Sequence, residues 1–95
     1  LYIKTRNFHW NVVGPRFAEL HEFFEEQYDS LEESIDEVAE RIRALGGIAT
    51  GTMAGYLKLA RLSESTGARP GADAMIGELL ADHETVIRQL RQDLE

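Results

Sequence analysis

Between Gly14-Pro15 and Gly46-Gly47 a series of apolar residues falls at Phe17, Leu20, Phe24, Tyr28, Leu31, Ile35, Val38, Ile42 and Leu45, always three or four apart. A strand needs period two, so this spacing predicts one helix of about 30 residues and ~45 Å. Proline suits the first helical turn and glycine the C′ position, so the two dipeptides bound it. A second stripe, Ile76, Leu79, Leu80, His83, Val86, Ile87, Leu90 and Leu94, predicts another helix from Asp73, its expected N-cap, to the chain end. Met53 to Leu62 reads as a short helix between them. Leu1, Thr5, Phe8 and Val12 share one helical face, which predicts a helix over Leu1 to Asn11. Thr50-Gly51 and the stretch from Gly67 to Gly71 are the remaining breakers. No stretch alternates as a strand does, so the fold class is all-α.

A helix as long as the central one belongs in a bundle or coiled coil. Four-helix bundles need four long helices. Two complete candidates and a shortened first one are present, and the first residue is Leu1 rather than Met. Residues 1–95 therefore read as one partial domain of a longer protein, with a fourth bundle helix expected beyond residue 95.

Composition narrows the classes. The chain has 95 residues, 43% hydrophobic and 28% charged, with no cysteine. That excludes a disulfide scaffold, a thiolate zinc site and a cysteine nucleophile. No apolar run nears the ~20 residues of a membrane span. The net charge is −7, and all of it is local: Arg16 to Leu45 holds ten acids against three arginines. Such a field attracts cations and repels phosphate backbones, and no basic patch suits nucleic acid.

The long helix also places candidate chemistry. With Phe24 as zero and about 100° per residue, the apolar stripe spans about −60° to +40°. His21, Glu25, Asp36 and Glu40 lie on one flank at about 60°, 100°, 120° and 160°. His21/Glu25 and Asp36/Glu40 are i,i+4 pairs, each able to aim two ligands at one point. Imidazole and carboxylate without thiolate suit iron, manganese or zinc. His21 and Asp36 stand fifteen residues apart, ~22 Å along one straight helix. Two antiparallel copies crossing near Ser30 and Leu31 bring the pairs together and create two equivalent sites per dimer. Glu22, Asp29 and Glu32 share the flank, so a merely solvated acidic face remains the alternative. His83 reads as a packed or rim histidine and Trp10 as a core or interface anchor. There is no Gly-rich phosphate loop, GxSxG or HExxH. Arg6, Ala18 and Leu80 stand three residues before the histidines, so the Glu-x-x-His of di-iron bundles is absent too.

The run Lys4-Thr5-Arg6-Asn7-Phe8-His9-Trp10-Asn11-Val12-Val13-Gly14-Pro15 resembles the Dps family of miniferritins, DNA-binding proteins from starved cells. Phe17 to Glu22 and Ile35 to Arg41, closing on Ala44-Leu45-Gly46-Gly47, match that family's second signature. The resemblance covers nearly the whole chain, specifically over residues 4–47 and mainly in pattern beyond. It implies a ferritin-like four-helix bundle running here from the end of the first helix to the third, with Met53–Leu62 as the family's short extra helix. It implies ferroxidase ligands at His9, His21 and Glu25 from one subunit and at Asp36 and Glu40 from its two-fold partner. Glu25 stands where the family usually has aspartate, one methylene shorter.

The implied activity is binding of Fe(II), its oxidation by hydrogen peroxide or, more slowly, dioxygen, and storage of ferric mineral in a twelve-subunit shell that protects DNA. The implied setting is a bacterial or archaeal cytoplasm, near the nucleoid. Ligands must be deprotonated, so oxidation is expected to slow at low pH. Trp10 is expected near the site, as a shield or an electron donor to stray radicals. Arg6, three residues before His9, is expected to pair with Glu25 or a neighbouring acid. Asp93 and Glu95 are expected near the family's iron-entry pore. Lysine-rich tails that bind DNA in some members are absent from this stretch. The competing readings are a DNA-compacting homologue without ferroxidase activity and a non-catalytic helical dimer.

Overall fold

The computed structural model describes residues 1–65 and 69–94. Among these are four helices and no strand: α1 (Tyr2–Asn11), α2 (Phe17–Ala44), α3 (Met53–Leu59) and α4 (Ala72–Leu94). The 28-residue α2 is the axis of the molecule. Helix α1 packs along its first half.

Both ends of α2 are set by backbone geometry. Gly14 has φ +116°, and the Phe17 N–H donates to its carbonyl at 3.1 Å. Pro15 therefore occupies the second position of a turn, where its fixed φ is favourable, and lies just outside the helix rather than in its first turn. At the other end Gly46, at φ +93°, donates to Arg43, and Gly47 donates to Ile42 at 2.9 Å. These two bonds satisfy carbonyls that the last turn leaves orphaned.

The other two boundaries move. Helix α3 starts on Thr52, whose hydroxyl accepts from the Gly55 N–H at 3.1 Å, and stops at Leu59 rather than Leu62. Helix α4 begins at Ala72, so Asp73 lies in the first turn instead of capping it. Its carboxylate meets Arg16 at 3.1 Å on the open surface, a contact worth little in stability. Of the breaker stretch, residues 67 and 68 lie outside the described residues.

The core is compact and polarised. Phe8 and Val12 of α1's face, Leu20 and Phe24 of α2, and Met75 and Leu79 of α4 bury one another, with Leu1, Ala72 and Ile76 packed against them. Thr5 is fully buried because its hydroxyl donates to the Leu1 carbonyl at 2.8 Å. Lys4 ties α1 to α4 through Asp82 at 2.8 Å, with both side chains largely covered.

Beyond Tyr28 the stripe of α2 is not covered: Ile35, Val38, Ile42 and Leu45 are exposed. The same holds for Leu80, Ile87, Leu90 and Leu94 of α4, and for all of α3's large apolar side chains. The period of these residues gives the correct helices. Their burial is only half realised within one chain, because no element among the described residues reaches the far halves of α2 and α4. His83 is half-buried, as a rim histidine would be.

Candidate metal centre

His9 stands in the last turn of α1 and His21 in the second turn of α2. The Gly14-Pro15 turn reverses the chain between them and lays the two helices side by side. The imidazoles stack, centroids 3.7 Å apart and planes 17° from parallel. Each Nδ1 lies 2.6 Å from the other residue's backbone carbonyl oxygen. A carbonyl only accepts, so each Nδ1 carries the proton and donates it. A neutral imidazole so held has its lone pair on Nε2. Two reciprocal bonds thus fix two tautomers and two ring orientations, the usual outer support of a metal-ligating histidine.

The surroundings keep these rings in place. His9 is buried at 5% exposure, with the edge of Tyr28 5.1 Å away at 79°. Phe17 stacks on the outer face of His21 at 5.1 Å. The Glu25 carboxylate stands 3.9 Å from His9 Nε2 and is half-exposed. That distance is too long for a hydrogen bond. Two donors each ~2.1 Å from one ion stand roughly 3–4 Å apart, so the separation suits a shared cation.

Asp36 and Glu40 are exposed on the second half of the same helix, and the structure does not bring them to the histidines. Among the described residues of the single chain, no group of three or more histidine or carboxylate side chains is close enough to hold a metal ion. His9, His21 and Glu25 are neighbours in the single chain, and Asp36 and Glu40 stand apart from them. Asp36 instead joins Asp29, Glu32 and Glu33 along an open acidic hollow.

Arg6 corrects one expectation. Among the described residues it pairs with no acid. Its Nε donates to the Tyr2 hydroxyl at 2.8 Å, and its guanidinium lies over the Tyr28 ring, 4.2 Å from the centroid. The Tyr2 and Trp10 rings lie 5.5 and 5.7 Å from the same guanidinium. An aromatic face competes well with a half-exposed carboxylate because it needs no desolvation of a second charge. The Tyr2 hydrogen bond raises the Arg6 pKa further above its ordinary value. Burial raises that of the Tyr28 phenol, with the Glu25 charge acting the same way. Trp10 is 62% exposed, so it is no core anchor within the chain.

Tyr28 and Tyr2 are the residues that sequence reasoning missed. Tyr28 carried only a core role, although its place one turn beyond Glu25's flank was available as a signal. Asp93 is exposed near the end of α4, and Glu95 lies outside the described residues. No helix among the described residues is long and apolar enough to cross a membrane.

The chain resembles known proteins in sequence and fold. A ferritin-like domain family matches residues 1–95. The chain is 48% identical over all its residues to a low temperature-induced protein of Nostoc, of which it covers 53%. It is 40% identical, again over its full length, to DNA protection during starvation protein 2 of Bacillus anthracis, covering 64% of that protein. The crystal structure of a Dps protein from Vibrio cholerae, described as a member of a broad superfamily of ferritin-like diiron-carboxylate proteins, superposes with a TM-score of 0.90. It shares 37% identity, over 96% of this chain and 57% of that one. The chain thus spans about half to two thirds of the length of these relatives. It belongs to the ferritin-like family, on its Dps branch.

Proposed function

We propose that this protein is a Dps-type miniferritin subunit that takes up Fe(II), oxidises it at a site shared between two chains, and stores the ferric product. The observation that carries the reading is the reciprocal hydrogen bonding of His9 and His21. It leaves the Nε2 lone pair of each ring free, that of His9 lying 3.9 Å from the Glu25 carboxylate. A solvated acidic face gives no reason to fix two tautomers in this way.

The set is incomplete in one chain, and Asp36 and Glu40 supply what is missing when a second copy lies antiparallel across α2. Imidazole and carboxylate bind Fe(II), and the harder Fe(III) gains from the added carboxylates. Hydrogen peroxide accepts two electrons, one from each of two Fe(II) ions, and leaves as water without releasing a radical. Dioxygen is the slower oxidant in this reading. Protons compete with iron for the same nitrogen and oxygen atoms, so the rate falls as pH falls.

The bare apolar faces of α2, α3 and α4 suit covering by a further bundle helix and by neighbouring subunits of a twelve-membered shell. Relatives named for DNA protection support a protective role, which this reading sets in the bacterial cytoplasm. A net charge of −7 favours protection by removing iron and peroxide over direct contact through this surface.

The test is anaerobic Fe(II) titration followed by peroxide, read by Fe(III) absorbance, with an H21A/D36A double variant alongside. Fast oxidation near one peroxide per two Fe(II), lost in the variant, is the expected result. Equal slow traces from both proteins would show that the acidic helix is structural only.

A further inference from the structure

Three oxidisable rings, Tyr2, Trp10 and Tyr28, lie within 6 Å of the single guanidinium of Arg6. They are not equivalent. Tyr28 is buried, touches the His9 ring edge-on, and has the cation closest, 4.2 Å from its centroid. Trp10 is 62% exposed, 5.7 Å from the cation, and open to solvent that screens it. We propose that Arg6 decides which ring gives up an electron at this site, holding the loss on Trp10 and off Tyr28. The inference deepens the ferroxidase reading and rests on it for its biological sense.

The chemistry is simple. An Fe(II) ion that reduces peroxide alone yields Fe(III), hydroxide and a hydroxyl radical. That radical takes one electron and one proton from the Trp10 indole N–H, becomes water and leaves a neutral indolyl radical. Transfer onward moves one electron and one proton from the Tyr28 phenol to the indolyl, restoring the indole and leaving a phenoxyl radical. A cation over a ring is attracted by its electron density, so removing an electron from that ring weakens the attraction. The effect is strongest where the ring is closest and driest, which is Tyr28. Arg6 thereby disfavours the onward step and keeps the oxidised centre at the surface, away from the ring that abuts His9. The hydrogen bond from Arg6 to the Tyr2 hydroxyl keeps the guanidinium in place.

The test uses the intact protein without iron. A photo-oxidised ruthenium complex in solution withdraws single electrons, and electron paramagnetic resonance separates tyrosyl from tryptophanyl radicals. Wild-type protein is expected to give mainly the tryptophanyl signal. R6Q is expected to raise the tyrosyl-to-tryptophanyl ratio about threefold to tenfold, the range a cation–π contact of this kind supports. Adding Y28F to R6Q removes the increase, and R6K, which keeps the charge, stays nearer the wild-type ratio than R6Q does. An unchanged ratio in R6Q, an increase that survives Y28F, or an R6K ratio equal to that of R6Q overturns the proposal. Helical melting is checked for each variant, and R6M carries the same comparison if R6Q does not melt cooperatively. Because the readout needs no iron, failure of the ferroxidase reading appears separately, as equal Fe(III) formation by wild type and H21A/D36A.

Discussion

In the proposed site His21 has two roles: its Nε2 is a ligand, and its Nδ1–H donates to the His9 carbonyl. On that proposal, replacing it removes a ligand and loosens the support of the other histidine. His21→Ala is therefore expected to weaken anaerobic Fe(II) binding by about tenfold or more, read by titration calorimetry. Glu25→Asp, which shortens the side chain by one methylene, is expected to leave binding within about threefold of wild type, since the pair distance of 3.9 Å leaves slack. Tyr28 offers a pH test. Burial raises its folded pKa, while the unfolded phenol titrates near ~10. Below pH ~10 both states keep the proton and the contribution is fully present. Above it the unfolded chain releases a proton that the folded chain retains, so stability falls as pH rises. Tyr28→Phe is expected to flatten that alkaline loss in melting curves taken from pH 8 to 11. The candidate ligand residues come from spacing and family likeness, and the structure brings His9 and His21 into contact. Their mutual orientation was not legible in the sequence, because side-chain bonds to backbone carbonyls leave no mark on residue type. Arg6 misled for a related reason: a cation near acids suggests an ion pair, and only the fold reveals three aromatic rings around it.

At the scale of elements, periodicity decided the outcome. Nine apolar residues at three- and four-residue steps can form one face of one helix only, and α2 runs from Phe17 to Ala44 as that predicts. Ends were less legible, because Pro15 suits a turn as well as a first helical turn, and Asp73 suits a first turn as well as a cap. The C-terminal end of α2 rests on Gly46 at φ +93°, where a Cβ is strained although nothing crowds it. Gly46→Ala is expected to cost about 1 kcal/mol, seen as a lowered melting midpoint with unchanged helix content. Phe24 has no exposed surface at the centre of the core, and Phe24→Ala is expected to cost about 3–5 kcal/mol. Because the core is confined to one end, the same substitution in the second half of α2, at Val38, is expected to cost the isolated chain far less.

For the whole molecule, one asymmetry connects fold and function. The half of α2 that packs in its own core carries His21 and Glu25, and the half left bare carries Asp36 and Glu40. In the proposed dimer an antiparallel second copy would use both halves at once, covering apolar surface and completing two metal sites. Sequence spacing revealed the ~22 Å gap that makes one chain insufficient, but not that the far apolar stripe is bare, since periodicity records a face and not its partner. Mixed assemblies test the shared site directly. H21A and D36A chains, each inactive alone, are unfolded together and co-refolded at equal amounts. Random pairing makes about half the dimers mixed, and each mixed dimer has one site with all ligands and one with neither His21 nor Asp36. The account predicts peroxide-dependent Fe(III) formation at about a quarter of the wild-type amplitude. Activity no higher than that of the two variants measured separately would contradict it.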